Sequence, residues 1–188
     1  MTLEYGTPQY GTPEYGTHCN AIDTWTEATT NWTIPFGGTV ATSTNRVVGD
    51  YSVTFRTLNP ARRWITLTLP TPIDTTGTDR LAFWYEIFAK NGTWNGIECH
   101  SDNTNSNYFI LPNPTILYPT DWSLNEFLKS SFMSIGMPNW ANIEIIKFDV
   151  TASTPPIFTW GIDGLGFYNG TPTLGTINYG IPSFDPSP

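Results

Sequence analysis

The sequence predicts an all-β protein: an antiparallel two-sheet β-sandwich, or jelly roll, with an extended arm at each end. Three observations lead there. Charged residues make up only 13% of the chain and aromatics 15%, with 16 Gly and 16 Pro, a composition that suits short strands and tight turns and suits long helices poorly. Apolar residues alternate with polar ones in run after run, at the two-residue period of a strand with one buried face. Nine or ten such runs follow one another, separated by Gly, Pro and Asn clusters, the spacing of sandwich strands.

The run from Pro72 to Phe88 is the centre of the chain. A polar turn with Gly77 feeds Leu81, Phe83, Tyr85 and Ile87 on one strand face and Ala82, Trp84, Glu86 and Phe88 on the other. Large apolar groups on both faces mark a central strand rather than an edge.

In chain order, residues 1–17 come first: Tyr5-Gly-Thr-Pro, Tyr10-Gly-Thr-Pro and Tyr15-Gly-Thr repeat every five residues. Pro and Gly at that density exclude a regular helix, and no face is apolar, so the segment reads as an extended arm. The folded part spans about 18–170. Residues 171–188 form a second arm, with Tyr179-Gly-Ile-Pro echoing the first. The repeated tyrosines Tyr5, Tyr10, Tyr15 and Tyr179 are candidate anchors onto neighbouring subunits.

Within the folded part, Ala21–Trp32 reads as the first strand region, with Trp25 and Trp32 buried. Thr39–Thr42 is a short strand. Tyr51, Val53 and Phe55 point inward from the next, and Pro60 breaks it. Trp64–Leu69 buries Ile65, Leu67 and Leu69, and Pro70 and Pro72 end it. After the central strand, Asn91-Gly92 signals a turn. Gly96–Ser101 and Tyr108–Leu111 are strands around a polar loop, and the prolines of 112–120 make another loop. Trp122–Leu128 is a strand or one helical turn, and Phe132–Ile135 a strand. Trp140–Val150 ends as a strand through Ile146, Phe148 and Val150. Phe158–Tyr168 is the last strand.

The formal charge of −8 argues against nucleic acid as a partner. No run of apolar residues is long enough to span a membrane, and the start Met-Thr-Leu-Glu-Tyr-Gly is not a secretory signal. Cys19 and Cys99 lie outside any metal-ligand spacing and are either two buried thiols or one bridge. Sequons at Asn31, Asn91 and Asn169 matter only in a host that glycosylates.

The order of signals carries a resemblance. Gly49-Asp-Tyr-Ser-Val-Thr-Phe55 precedes an Ile-x-Leu-x-Leu strand. Then come Ile73-Asp74, Leu81-Ala-Phe-Trp-Tyr85, Trp140-x-x-Ile143-x-x-Ile146-x-Phe148 and the closing Ile162-Asp-Gly-Leu-Gly-Phe167. Over residues 22–168 this resembles the galactose-binding-like jelly roll of many carbohydrate-binding modules. The family implies a non-catalytic glycan binder, often with a structural Ca²⁺. Its fold also serves adhesins and phage and viral fibre, baseplate and decoration proteins.

Two functional expectations follow, on a virion or extracellular surface. The first is a structural or adhesive subunit of a virion or extracellular assembly, whose arms dock on other copies of itself or on neighbouring structural subunits. The alternative is a carbohydrate-binding module that recognises a polysaccharide through an aromatic platform. Sugar rings stack on aromatic faces while amides and carboxylates bond their hydroxyls. Trp84 and Glu86, with Trp94, His100, Tyr108 and Trp122, are the candidate glycan-binding residues. The resemblance implies Asp163, Asp50 and Asp23 as calcium ligands. No nucleophile, zinc or phosphate-loop motif is present, so an enzyme is not expected.

Overall fold

A computed structural model describes residues 19–20, 25–34, 38–47, 49–57, 62–89, 92–116, 121–152 and 158–171. Twelve strands run β1 (Cys19–Asn20), β2 (Trp32–Thr33), β3 (Gly38–Ser43), β4 (Ser52–Thr57), β5 (Arg62–Ile73), β6 (Arg80–Ala89), β7 (Gly92–His100), β8 (Tyr108–Pro112), β9 (Ser123–Leu128), β10 (Met133–Ile135), β11 (Ile143–Ala152) and β12 (Phe158–Tyr168). The only helix among the described residues is a three-residue 3₁₀ turn, Lys129–Ser131. The expected two-sheet antiparallel sandwich is the fold. Sheet A is ordered β3-β4-β12-β6-β9, with β1 also on β12. Sheet B is ordered β10-β8-β7-β11-β5-β2.

The alternation read from sequence sets which side chains lie between the sheets. Leu81, Phe83 and Tyr85 of β6, Phe55 of β4, Leu67 of β5, Ile146 and Phe148 of β11 and Phe167 of β12 are all fully buried, and Trp25 is buried beside them. Phe83 meets Trp94, Phe127 and Phe148 at ring-centroid distances of 5.9, 5.8 and 5.7 Å. Strand β6 is interior as expected, flanked by β12 and β9, while β12 holds the middle of the sheet.

Several boundaries differ from the sequence reading. Trp25–Asn31 is turn rather than strand, held by the Trp32 Nε1–H donating to the Trp25 carbonyl at 2.6 Å. Tyr51 precedes β4 and is 43% exposed, because its N–H is drawn to the Glu27 carboxylate instead of into the ladder. Strand β5 runs through Pro70 and Pro72 to Ile73. It tolerates them because β2 pairs with it only at Thr66 and Leu67, leaving one side of the later residues without a strand to receive N–H groups. Trp122–Leu128 resolves as strand β9.

Two bulges adjust the faces. In β12, Gly164 takes φ +54° and the pairing with β6 shifts between Asp163 and Gly166, so Ile162 and Leu165, three apart, both face the core. In β7 the pairing with β11 shifts at Asn95, so Trp94 and Ile97 likewise both face inward.

Candidate functional site: the outer face of sheet B

The inward residues of sheet B fix, by alternation, what its other face carries. Ile65 and Leu67 point inward, so Trp64, Thr66 and Thr68 of β5 point out. Ile146, Phe148 and Val150 point inward, so Ile145, Lys147 and Asp149 of β11 point out. Ile97 and Cys99 leave Glu98 and His100 outward on β7, and Phe109 leaves Tyr108 and Ile110 outward on β8. The registers place these side chains in rows across the strands: Tyr108–His100–Ile145–Thr68, then Ile110–Glu98–Lys147–Thr66, then Gly96–Asp149–Trp64.

Each row is wired. Glu98 and His100 hydrogen-bond at 2.7 Å, and the imidazole stacks under Tyr108 with centroids 4.8 Å apart and planes at 21°. Asp149 is almost wholly buried. It accepts Arg62 Nε–H at 2.7 Å and the Asn95 amide at 3.2 Å, and its ion pair with Arg62 is completed by Nη2. The Arg62 side chain is 63% exposed, and its guanidinium hangs 5.5 Å over the Trp64 ring. Lys147 reaches from the central row to the Asn105 side chain in the 101–107 loop. Its ammonium titrates below the usual lysine range because burial penalises its charge, although Glu98 pulls the other way. The face therefore offers two half-buried aromatics, Tyr108 and Trp64, three strand spacings apart across the sheet and two rows apart along it, roughly 19 Å on the diagonal, with hydrogen-bonding groups fixed between them.

Of the residues singled out in the sequence, His100 and Tyr108 belong to this face. Trp84, Glu86 and Trp122 lie on the opposite side of the molecule, on the outer face of sheet A. There Asn45 lies over the sheet: its amide donates to Glu86 at 2.7 Å and accepts the Trp122 indole N–H at 3.2 Å. Trp84 is buried, 5% exposed, between Asp163 of β12 and Leu124 of β9 in register. Burial holds the Glu86 carboxyl above its ordinary range, the Asn45 bond opposing and Asp121 adding to the rise. Trp94 is a correction. It sits between the sheets, donates to the Tyr85 hydroxyl at 3.2 Å and packs on Trp160, so it offers no surface to a sugar. Trp64, Arg62, Glu98, Lys147 and Asp149 were not singled out. Their signal was present as the outward positions of strands whose inward positions were read.

The implied calcium ligands divide. Asp23 lies outside the described residues. Asp163 is fully buried and already accepts from Thr26 Oγ1, the Gly164 N–H and the Val47 N–H. Asp50 joins this corner through its backbone N–H, which donates to Glu27. Burial raises the Glu27 carboxyl, the Asp50 and Tyr51 N–H groups lower it, and Asp163 and Asp50 add repulsion. Among the described residues no three His, Cys, Asp or Glu side chains converge as a metal site. Glu27 and Asp163 alone, facing backbone donors, do not make a calcium shell. Cys99 is a buried free thiol, pushed far above the ordinary range by burial. The anchors Tyr5, Tyr10, Tyr15 and Tyr179 fall outside the described residues, and no described helix is long and apolar enough to cross a membrane.

No protein-family model and no curated protein sequence matches the chain. Solved structures do. A family 11 carbohydrate-binding module from Clostridium thermocellum, in complex with a β-1,3-1,4-mixed-linked tetrasaccharide, aligns over 82% of this chain and 98% of its own, at TM-score 0.59 and 15% identity. The family 11 module of the cellulosomal cellulase Lic26A-Cel5E from the same organism aligns over 82% and 96%, at TM-score 0.56 and 16% identity. An exo-β-agarase aligns over 84% of this chain but 26% of its own length, at TM-score 0.59 and 11% identity. At these identities the likeness is one of fold. The chain has the β-sandwich fold of the carbohydrate-binding modules.

Proposed function

We propose that the protein is a non-catalytic glycan-binding module that lays a neutral polysaccharide across the outer face of sheet B. The carrying observation is the arrangement on that face. Two half-buried aromatics stand roughly 19 Å apart on the diagonal, and between them each charge has its opposite beside it: Arg62 with Asp149, and Lys147 with Glu98 in the adjoining register position. Paired charges give an uncharged surface with fixed donors and acceptors, which suits hydroxyl-rich, uncharged ligands. Separation of the aromatics over three strands suits an oligosaccharide rather than a single sugar. The fold neighbours support the reading, one of them in complex with a mixed-linked tetrasaccharide. They favour it over the structural-subunit reading. A glycan array tests it: binding to neutral β-linked glucans or galactans is expected, and an array with no neutral glycan bound would remove the proposal.

The Tyr-Gly-Thr-Pro repeat of residues 5–17 supports a second reading, in which the arms dock the module onto other copies or neighbouring subunits on a virion or extracellular surface. Light scattering on the full chain and on one lacking residues 1–17 tests it. A monomer in both cases would end it.

A further inference from the structure

On the outer face of sheet A, remote from the face described above, two aromatic rings meet over a glycine. A methyl group on Gly161 would lie 3.0 Å from Trp122 Cη2 and 3.4 Å from Phe88 Cε2, so the missing side chain is the seat of both rings. Gly161 sits in register between Thr54 of β4 and Glu86 of β6. The indole does not float: its N–H is tied to Asn45 Oδ1 at 3.2 Å, and Asn45 Nδ2 is tied to Glu86 at 2.7 Å. Phe88 is 45% exposed, and Trp122 is partly exposed.

We propose that Trp122 and Phe88, with Asn45 and Glu86 at their edge, form a second glycan-binding patch, for one or two rings of a neutral pyranoside. The chemistry favours a sugar over the other occupants of an exposed aromatic pair. Two partly exposed rings present on the order of 150 Å², far short of the roughly 800 Å² per partner of a stable protein interface. Their surround is hydroxyl-bearing, with Thr39, Thr54 and Thr159 on the adjoining strands, rather than apolar. Glu86 and the nearby Asp121 stand on one side and Arg56, in register with Thr39 and Thr159, on the other, so the charges roughly offset and favour a neutral sugar. The amide and carboxylate stand beside the rings, where the hydroxyls of a stacked pyranose need partners. Because the two faces point away from each other, one straight glycan segment cannot occupy both, and a module with both bridges two chains.

The patch goes beyond the function proposed for sheet B, and the test separates them. Calorimetric titrations with a β-1,3-1,4-mixed-linked glucan tetrasaccharide and with agaro-oligosaccharides should give two sites per chain in the wild type. One site should remain after Trp64→Ala with Tyr108→Ala, and none when Trp122→Ala is added. Should Trp122→Ala fail to fold, Phe88→Ala at the exposed ring reads the same site, with about a tenfold loss there. Wild type should also thicken a solution of long mixed-linked glucan, and Trp122→Ala or Phe88→Ala should not. One site per chain that both sheet A variants leave untouched overturns the patch and leaves sheet B standing. Two sites that survive Trp64→Ala with Tyr108→Ala overturn the sheet B assignment alone. A wild type that takes neither probe overturns the patch.

Discussion

Tyr108 lies over His100, their rings 4.8 Å apart and 21° from parallel, and His100 in turn hydrogen-bonds Glu98 two residues back along the same strand. The tyrosine of the proposed glycan site is thereby seated on a buried hydrogen-bonded couple. Tyr108→Ala should lower affinity for a bound neutral glycan by about tenfold or more while the far-ultraviolet spectrum is retained. Glu98→Ala removes no ligand contact, yet it leaves a buried imidazole without its partner. It should therefore weaken binding less and lower the melting temperature more. Affinity electrophoresis beside thermal melts reads both, and a Glu98→Ala protein as stable as wild type would contradict the seating.

Phe83 joins the two sheets, in contact with aromatic partners from β7, β9 and β11. Phe83→Ala should cost about 3–5 kcal/mol, the transfer term plus the cavity left where neighbours cannot collapse. Urea denaturation measures it. A loss under about 1 kcal/mol would mean that the two sheets do not pack through this ring.

Asp163 is the buried acceptor that ties the Thr26 turn and Val47 to the last strand. Asp163→Ala should cost roughly 3 kcal/mol or more, because hydrogen bonds to a charged group carry about 1.5–3 kcal/mol each and the orphaned donors stay buried. Repeating the wild-type melt with chelator and with added Ca²⁺ tests the metal separately. A chelator-sensitive wild type would mean that residues beyond Glu27 and Asp163 complete a calcium site here.

Acid should act in two stages of opposite sign. Burial raises the Glu86 and Glu27 carboxyls in the folded protein. A raised pKa contributes stability that is complete below the unfolded value and lost as pH rises through the folded one. Acidification from neutrality towards about pH 4 therefore favours folding through these two. Asp79 goes the other way: its hydrogen bond from Arg80 lowers it to about 2, and Asp74 and Asp102 are lowered by their own hydrogen bonds. Their contribution is lost as pH falls from about 4 towards 2, and for exposed groups it is small. The melting temperature should hold or rise to about pH 4 and then fall. Glu86→Gln keeps a polar partner for Asn45 and should flatten the first stage. A variant that tracks wild type over the whole range would remove Glu86 from the account.

Gly164 makes the bulge that returns Leu165 to the core, at φ +54°. Gly164→Ala should destabilise by about 1–2 kcal/mol, measurable by denaturation. An unchanged midpoint would mean that the bulge relaxes elsewhere.

The sandwich was legible because alternation is a local signal: Phe83 and Tyr85, or Ile65 and Leu67, announce a buried face by themselves. Trp94 misled because the bulge at Asn95 breaks the two-residue period, putting residues 94 and 97 on one side. The sheet B face was half legible. Tyr108 and His100 stand out as residue types, but Arg62 and Asp149 are 87 positions apart and meet only through the register of β5 against β11. Trp84 failed as a platform for a different reason. Its strand face was read correctly as not facing the other sheet, but its burial on the outer side is set by non-local packing that gives no periodic signal.

The first and last described strands also lie side by side. Cys19 of β1 pairs antiparallel with Tyr168 of β12, so the backbone enters the sandwich beside the point where it leaves. Adjacent ends let a folded unit be spliced into a loop of a host protein, or have its ends joined and be reopened elsewhere, without stretching the scaffold. The geometry is that of a plug-in cassette, whose junction lies on sheet A, away from the outer face of sheet B.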